Sequence, residues 1–314
     1  MTVFFATLNQ TAYLFLFILA GYVLAKGRFV PDNAQAVLSR LENTLFIPAL
    51  VLGTFLDNFT VQTIATAGDL LLGSLLLAVI AIGLSVLCVR FCSKDPYERK
   101  IYTYGLCFSN FGFMGNAVVS ALYPEIFMEY LIFTLPLWSL IYLWGVPVLL
   151  IGTEEDKPSL SQRMKSFVNP MFVCTLLGMV LGLWGLRVPS FIRDAVSTAG
   201  SCMSPIAMLL TGMTIARFDL GQILRIKGVY LVTVLRLLLF PLLFIGVLAY
   251  FPLPGTFATC AICSLAMPLG LNTIIIPAGM GKDTKVASGM ALVSHLLSCL
   301  TIPVILAVFQ RILA

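Results

Sequence analysis

Cys107–Pro124 reads CFSNFGFMGNAVVSALYP, in the middle of a chain otherwise dense in apolar residues. The stretch is close to the ~20 residues that cross a bilayer as a helix. Its centre, however, holds Asn110, Gly112, Gly115 and Asn116 within seven residues. Glycine weakens a helix by ~1 kcal/mol relative to alanine, and a side-chain amide is costly in hydrocarbon unless it is hydrogen-bonded. A lipid-facing helix has no use for such a patch. The rest of the chain decides what it is for.

Of 314 residues, 60% are hydrophobic and only 11% are charged, and the mean hydropathy is +1.01. Soluble domains carry roughly twice that share of charge, so the composition describes an all-α polytopic membrane protein. A net charge of +5 spread over this length is no nucleic-acid signature. The eight cysteines lie in or beside apolar segments and read as packing residues rather than a disulfide framework. No cleavable leader is expected, because the first apolar run starts almost at Met1 and its basic residues, Lys26 and Arg28, follow it.

Ten apolar stretches are long enough to span, at about 4–25, 34–56, 67–91, 101–123, 126–151, 169–186, 194–215, 229–250, 256–280 and 286–312. The loops after odd spans hold fourteen Lys and Arg, against Arg187 and Arg193 after even ones. Positive charge marks the cytoplasmic side, which puts both termini outside the plasma (inner) membrane. The most charged loop falls between spans five and six. It divides the chain into a first five-helix repeat (1–151), a cytoplasmic linker (152–168) and a second five-helix repeat (169–314). An odd number of spans per half inserts the second half upside down, the inverted-repeat design of many secondary transporters.

The halves match where the design requires. Span two carries ENTLFIPALVLGTFL (Glu42–Leu56) and span seven carries GSCMSPIAMLLTGMTIA (Gly200–Ala216). Span nine carries SLAMPLGLNTIIIPAGMG (Ser264–Gly281), where Pro268, Gly270, Asn272 and Pro277 interrupt the apolar run as the opening stretch does in span four. A helix broken at mid-depth frees backbone groups that lipid cannot satisfy, so the break must be buried or face water. Two half-helix N-termini meeting there offer free N–H donors and partial positive charge to an anion. On that reading Asn110, Gly112, Gly115, Asn116, Pro268, Gly270 and Asn272 form a substrate site, with the three amides orienting the ligand. The plainer reading is that small and amide residues let helices pack closely.

At these residues the sequence resembles the auxin efflux carrier family, which includes the plant PIN carriers and bacterial permeases for malonate, malate and other organic acids. The motifs are SNFGFMG (Ser109–Gly115), AMPLGLN (Ala266–Asn272), NTLFIPAL (Asn43–Leu50), SPIAMLLTGM (Ser204–Met213), VNP (Val168–Pro170), LRLLLFP (Leu235–Pro241) and TIPV (Thr301–Val304). The resemblance implies ten helices in two inverted five-helix repeats, with broken helices four and nine crossing near the midplane. It also implies a scaffold of spans one, two, six and seven, a mobile transport domain of spans three to five and eight to ten, and a homodimer in the lipid bilayer. The cargo it implies is a small organic anion, auxin-like or malonate/malate-like. Where the family usually has a proline after the glycine of its fourth-span motif, this chain reads Gly115-Asn116-Ala117. The short central loop marks a prokaryotic-type member.

Ionisable residues inside spans are functional candidates because each is costly at the bilayer centre. Glu42, beside Asn43, either carries a proton or lines the site, or else pairs structurally near a span start. Arg236 either balances substrate charge or snorkels to the cytoplasmic face. His295, the sole histidine, either titrates or is a satisfied core residue. No paired acids mark a cation site at the breaks, and no metal or cofactor is expected. A proton- or sodium-coupled carrier of another metabolite, a channel and a receptor are the alternatives. An enzyme is disfavoured: SHLLS (Ser294–Ser298) has no orienting acid, and CAIC (Cys260–Cys263) has redox spacing without a redox fold.

The charge bias makes the topology testable. Single cysteines placed at either end of a Cys-free variant should react with an impermeant maleimide in intact cells. Labelling only after permeabilisation would invert the assignment.

Overall fold

The computed structural model describes residues 2–151, 169–185, 188–251 and 253–313. The expected linker, 152–168, and Arg187 lie outside the described residues. Among the described residues every regular element is helical, and the lone bridge between extended residues joins Ser109 and Leu269.

Seven helices are long and apolar enough to cross a membrane. They include α1 (Thr2–Lys26), α2 (Ala34–Asn58) and α3 (Val61–Cys92). The span-four region instead splits into α4 (Pro96–Cys107) and α5 (Phe111–Leu122). Next come α6 (Pro124–Leu150), the shorter α7 (Pro170–Leu183), α8 (Ser190–Ile215) and α9 (Lys227–Tyr250). The span-nine region splits likewise into α10 (Gly255–Leu265) and α11 (Asn272–Gly279), before α12 (Lys285–Leu313) closes the chain. The stretches expected as spans four, six and nine thus contribute shorter helices, and two of the three are interrupted where glycine, asparagine and proline concentrate.

Local chemistry sets several boundaries. Asp95 accepts from the Glu98 N–H at 2.8 Å and Pro96 fills the first helical position of α4. Asn169 and Pro170 start α7 in the same way, the amide oxygen accepting from the Phe172 N–H at 3.2 Å. Inside α2 and α9 the helix widens for one turn, at Glu42–Phe46 and Leu235–Leu239, so that the Ile47 and Phe240 N–H groups reach back five residues. Each widened turn lies just ahead of a proline, Pro48 or Pro241. A proline ring crowds the carbonyl four residues earlier and gives it no N–H, and one extra residue in the turn relieves that crowding.

The deepest core surrounds the interruptions: Tyr104, Phe108, Phe111, Tyr130 and Phe133 are all buried. Leucines and valines of α1 and α3, such as Leu16, Leu19, Leu72, Leu76 and Val79, face outward, as a lipid-contacting surface requires. On the other side α1 packs on α8 backbone to backbone. A Cβ at Gly212 would collide with the Ile18 carbonyl, and one at Gly21 with the Leu209 carbonyl. Small residues permit this approach where no hydrophobic effect drives helices together in lipid.

Gly212→Leu should force α1 and α8 apart and lower the unfolding temperature by several degrees, as overpacking costs ~1–3 kcal/mol. Gly246→Leu, where the added carbon meets open space, should leave it unchanged. Equal melting curves for the two variants would contradict the backbone contact.

Candidate functional site

The chain leaves α4 at Cys107 and passes Phe108–Asn110 in extended and turn conformations before α5 begins. It leaves α10 at Leu265 and passes Ala266–Leu271 before α11 begins. The two interruptions touch. The Asn110 N–H donates to the Pro268 carbonyl at 2.8 Å, and the Ser109 hydroxyl donates to the Ser264 carbonyl at 2.7 Å. Each break therefore satisfies part of the other.

The freed carbonyls at the ends of α4 and α10 converge on one side chain from α9. Arg236 is 2% exposed. Its Nη1 donates to the Leu106 carbonyl at 2.9 Å, its Nη2 to Ser264 at 3.0 Å and its Nε to Met267 at 3.4 Å. The guanidinium also lies 5.7 Å from the centre of the Phe240 ring. Helix C-termini carry partial negative charge and unpaired carbonyls, and a planar fork of donors answers two of them at once. The guanidinium is committed to these carbonyls and does not reach out of the core toward a membrane face.

His295 of α12 holds the other side of the break. Its Nδ1 lies 2.9 Å from the Ala291 carbonyl and its Nε2 lies 2.8 Å from Asn110 Nδ2. A carbonyl only accepts, so Nδ1 carries the hydrogen and Nε2 accepts from the asparagine amide. Asn110 Oδ1 in turn accepts from the Met114 N–H at 3.4 Å, capping α5. The single histidine is thus a bonded core residue that fixes the amide.

Around this frame the glycines allow close approach. A Cβ at Gly112 would strike the Trp138 ring, one at Gly115 the Tyr130 hydroxyl, and one at Gly270 the Phe108 carbonyl. Asn272 donates to the Tyr104 hydroxyl at 3.1 Å. Asn110, Gly112, Gly270 and Asn272 line a common crevice with Tyr104 and Trp138, of about 10 Å³. That is room for about one water.

Asn116 is placed elsewhere. It lines a cleft of about 510 Å³ between α1, α2, α5 and α8, together with Gln10, Ser197, Ser201 and Ser204. Its Oδ1 is buried with no hydrogen-bond partner. Arg193 and Asp57, 3.4 Å apart, pair on the wall of the same cleft. A larger cavity of about 860 Å³ between α3, α9 and α10 has an almost wholly apolar lining with Asp69 and Glu129, and of the interrupted helix ends it includes Leu265. Glu42 and Asn43 lie in the widened turn of α2, apart from the interruptions, and Asn43 donates to the Ser39 carbonyl at 2.8 Å.

Sequence reasoning did not find Tyr104, Ser109, Tyr130, Trp138 or Ser264. Ser109 and Ser264 sit inside the two quoted stretches, but their chemistry is visible only when the stretches meet. Arg236 carried one readable signal, since it precedes Pro241 by five residues as Glu42 precedes Pro48 by six.

Arg236→Leu should remove three donors from buried carbonyls. At ~1.5–3 kcal/mol for a bond to a charged group, the loss should appear as a strongly lowered unfolding temperature. Arg236→Lys, a point charge without the fork, should recover only part of it. A leucine variant as stable as the parent would remove the guanidinium from its bridging role.

Comparison with known proteins points to membrane transport. The chain is 30% identical over 104 residues to an uncharacterized transporter of Schizosaccharomyces pombe, a match covering 33% of this chain and 23% of that protein. The chain thus spans under a quarter of the length of the curated relative it matches. A family described as membrane transport protein matches residues 6–162 and 157–306. With nearly the whole length matched, the chain belongs to the membrane transport protein family.

Proposed function

We propose that this protein is a secondary transporter that carries a small organic anion, of the carboxylate class, by alternating access. The observation that carries the reading is the meeting of two interrupted helices inside an apolar bundle. At the start of α11 the Thr273 and Ile274 N–H groups donate to the Gly270 and Leu271 carbonyls at 3.4 and 2.8 Å. The unbonded first-turn N–H groups of a helix start therefore fall chiefly to α5, and each start carries partial positive charge. The Asn110 and Asn272 amides stand beside them. This arrangement recognises a carboxylate without a buried counter-charge, because Arg236 is already engaged by carbonyls and Arg193 by Asp57. A monoanion suits it better than a polyanion. The resemblance to auxin efflux carriers agrees with that class, and with ten spans in two inverted halves.

The cleft lined by Asn116 gives the anion a route in, and the N–H2 donors of that amide offer it a first contact. The crevice at the interruptions is closed, so delivery to it requires a change of conformation. Opening to one side at a time is the defining step of alternating access. A channel would need a continuous pore, which a closed crevice does not favour.

Protein in proteoliposomes on a supported membrane should give substrate-dependent currents with one or more acids from a panel of mono- and dicarboxylates that includes malonate, malate and indole-3-acetate. Asn116→Ala should raise the half-saturation concentration about ten- to a hundredfold, the equivalent of one hydrogen bond to a charged group, and leave the melting temperature alone. Asn272→Ala should alter both, because it also frees the Tyr104 hydroxyl. An unchanged half-saturation concentration in both variants would move the site elsewhere. Silence across the whole panel would end the carboxylate reading.

A further inference from the structure

The first half of α2 is polar where it is buried, and most of its exposed positions are apolar. From Ala34 to Phe46 the buried residues are Gln35, Ser39 and Glu42, at 6%, 2% and 0% exposure. The outward positions Val37, Leu41 and Leu45 are hydrophobic. Spacings of four and three residues put the three polar side chains on one helix face. They run inward from the start of the helix for about 10 Å at 1.5 Å per residue.

Each has a distinct state. Arg217 Nη1, just past the end of α8, donates to Gln35 Oε1 at 2.8 Å, while Gln35 Nε2 is buried and unpartnered. Ser39 Oγ donates to the Ile275 carbonyl of α11 at 2.6 Å. Both carboxyl oxygens of Glu42 are buried and have no partner. The helices packed against this face are α7, α8 and α11. The ionisable residues they carry are Cys174 on α7 and Arg193, Asp194 and Cys202 on α8, with Arg217 beyond its end, and α11 has none. Arg40 on α2 itself is exposed. Among the described residues none of these bonds to Glu42, and the ion pair of Arg193 is with Asp57.

A carboxylate sealed from water with no cation and no donor is far costlier than the neutral acid. Glu42 is therefore a carboxylic acid in this conformation. Ser39 and Gln35 are the buried polar side chains on that face between Glu42 and the start of the helix.

We propose that Glu42 is a proton-binding site of this protein, served by the Gln35–Ser39 face of α2, and that its loading is coupled to movement of α11 against α2. The Ser39–Ile275 bond joins the path to the second half of an interrupted span. Movement of α11 that breaks this bond frees the Ser39 hydroxyl and opens the face to water. Water then supplies or accepts the proton, which adds to or leaves one Glu42 oxygen with no other reactant. The widened turn that begins at Glu42 places the carboxyl at an irregularity of the helix, a place where function often collects. The coupling rests on the transport reading above, whereas the proton site rests on the geometry alone.

Infrared spectroscopy of the reconstituted protein at neutral pH separates the two. The parent should show a protonated-carboxyl stretch that shifts in heavy water, and Glu42→Gln, a neutral isostere, should lack it. Ser39→Ala should keep the band and slow its isotope exchange several-fold. A parent without the band, or a Glu42→Gln variant that retains it, overturns the site, and an unchanged exchange rate in Ser39→Ala overturns the path. In proteoliposomes, a pH gradient should drive accumulation by the parent of a radiolabelled, poorly membrane-permeant acid of the carboxylate panel, malonate or malate among them, beyond that in protein-free liposomes. Glu42→Gln should exchange the same acid across the membrane without accumulating it. Accumulation by the variant overturns the coupling. A parent that moves no acid of the panel removes the transport reading and the coupling with it, while the carboxyl band still decides the proton site.

Discussion

Interrupting a helix within a bilayer exposes carbonyls that nothing in the lipid can satisfy, and this chain does it twice at one place. The Arg236 guanidinium makes the double interruption tenable. It donates to Leu106 at the end of α4 and to Ser264 and Met267 at the end of α10. One positive charge thereby faces the negative ends of two half-helices. The charge and the carbonyls each solve the other's burial problem: neither is tolerable alone in the core, and together they need no carboxylate. The Ser109–Ser264 and Asn110–Pro268 bonds then fix the two segments in register.

The interruptions themselves were legible, because glycine, asparagine and proline concentrate in the middle of two apolar stretches. The residues that stabilise them were not. Arg236 and Leu106 are separated by 130 positions and Asn110 and His295 by 185. Periodicity tells which residues share a helix face but not which helices share an interface. Arg236 was read as a charge for the ligand or the membrane surface, and His295 as a titrating group or a core residue. The carbonyls that engage Arg236, and the Asn110 amide that engages His295, belong to other spans. Asn116 was grouped with Asn110 because six residues separate them in sequence. The turn between them rotates one amide into the crevice and the other into the open cleft.

Prolines provide a second level of organisation. Pro48 and Pro241 each follow a widened turn, and each widened turn contains a buried ionisable side chain, Glu42 or Arg236. A regular helix has its backbone fully bonded and gives a charged group nothing to use. A widened turn shifts the face on which the following residues emerge and loosens local bonding. The two spans use this differently. In α9 each of the three guanidinium nitrogens reaches a carbonyl, whereas in α2 the carboxyl reaches no donor.

The hydrogen bonds also indicate where the molecule yields. Within the interrupted region, α4, α5, α9, α10 and α12 are tied by a charged side chain with three acceptors and by the His295–Asn110 link. The bonds described from α1, α2 and α8 to the interrupted helices are single and neutral. They run from Gln10 to the Ala117 carbonyl at 3.3 Å, from Ser39 to Ile275 at 2.6 Å and from Ser204 to Phe113 at 2.6 Å. A neutral bond contributes ~1 kcal/mol net, and one to a charged group about twice that. A rearrangement that opens the crevice therefore meets least resistance along the seam between these two groups of helices. That seam contains the cleft lined by Asn116 on one stretch and the polar face of α2 on another. On the proposed reading, motion of the interrupted helices against α1, α2 and α8 would change access to both, and a bound anion and a bound proton would then depend on one another without touching.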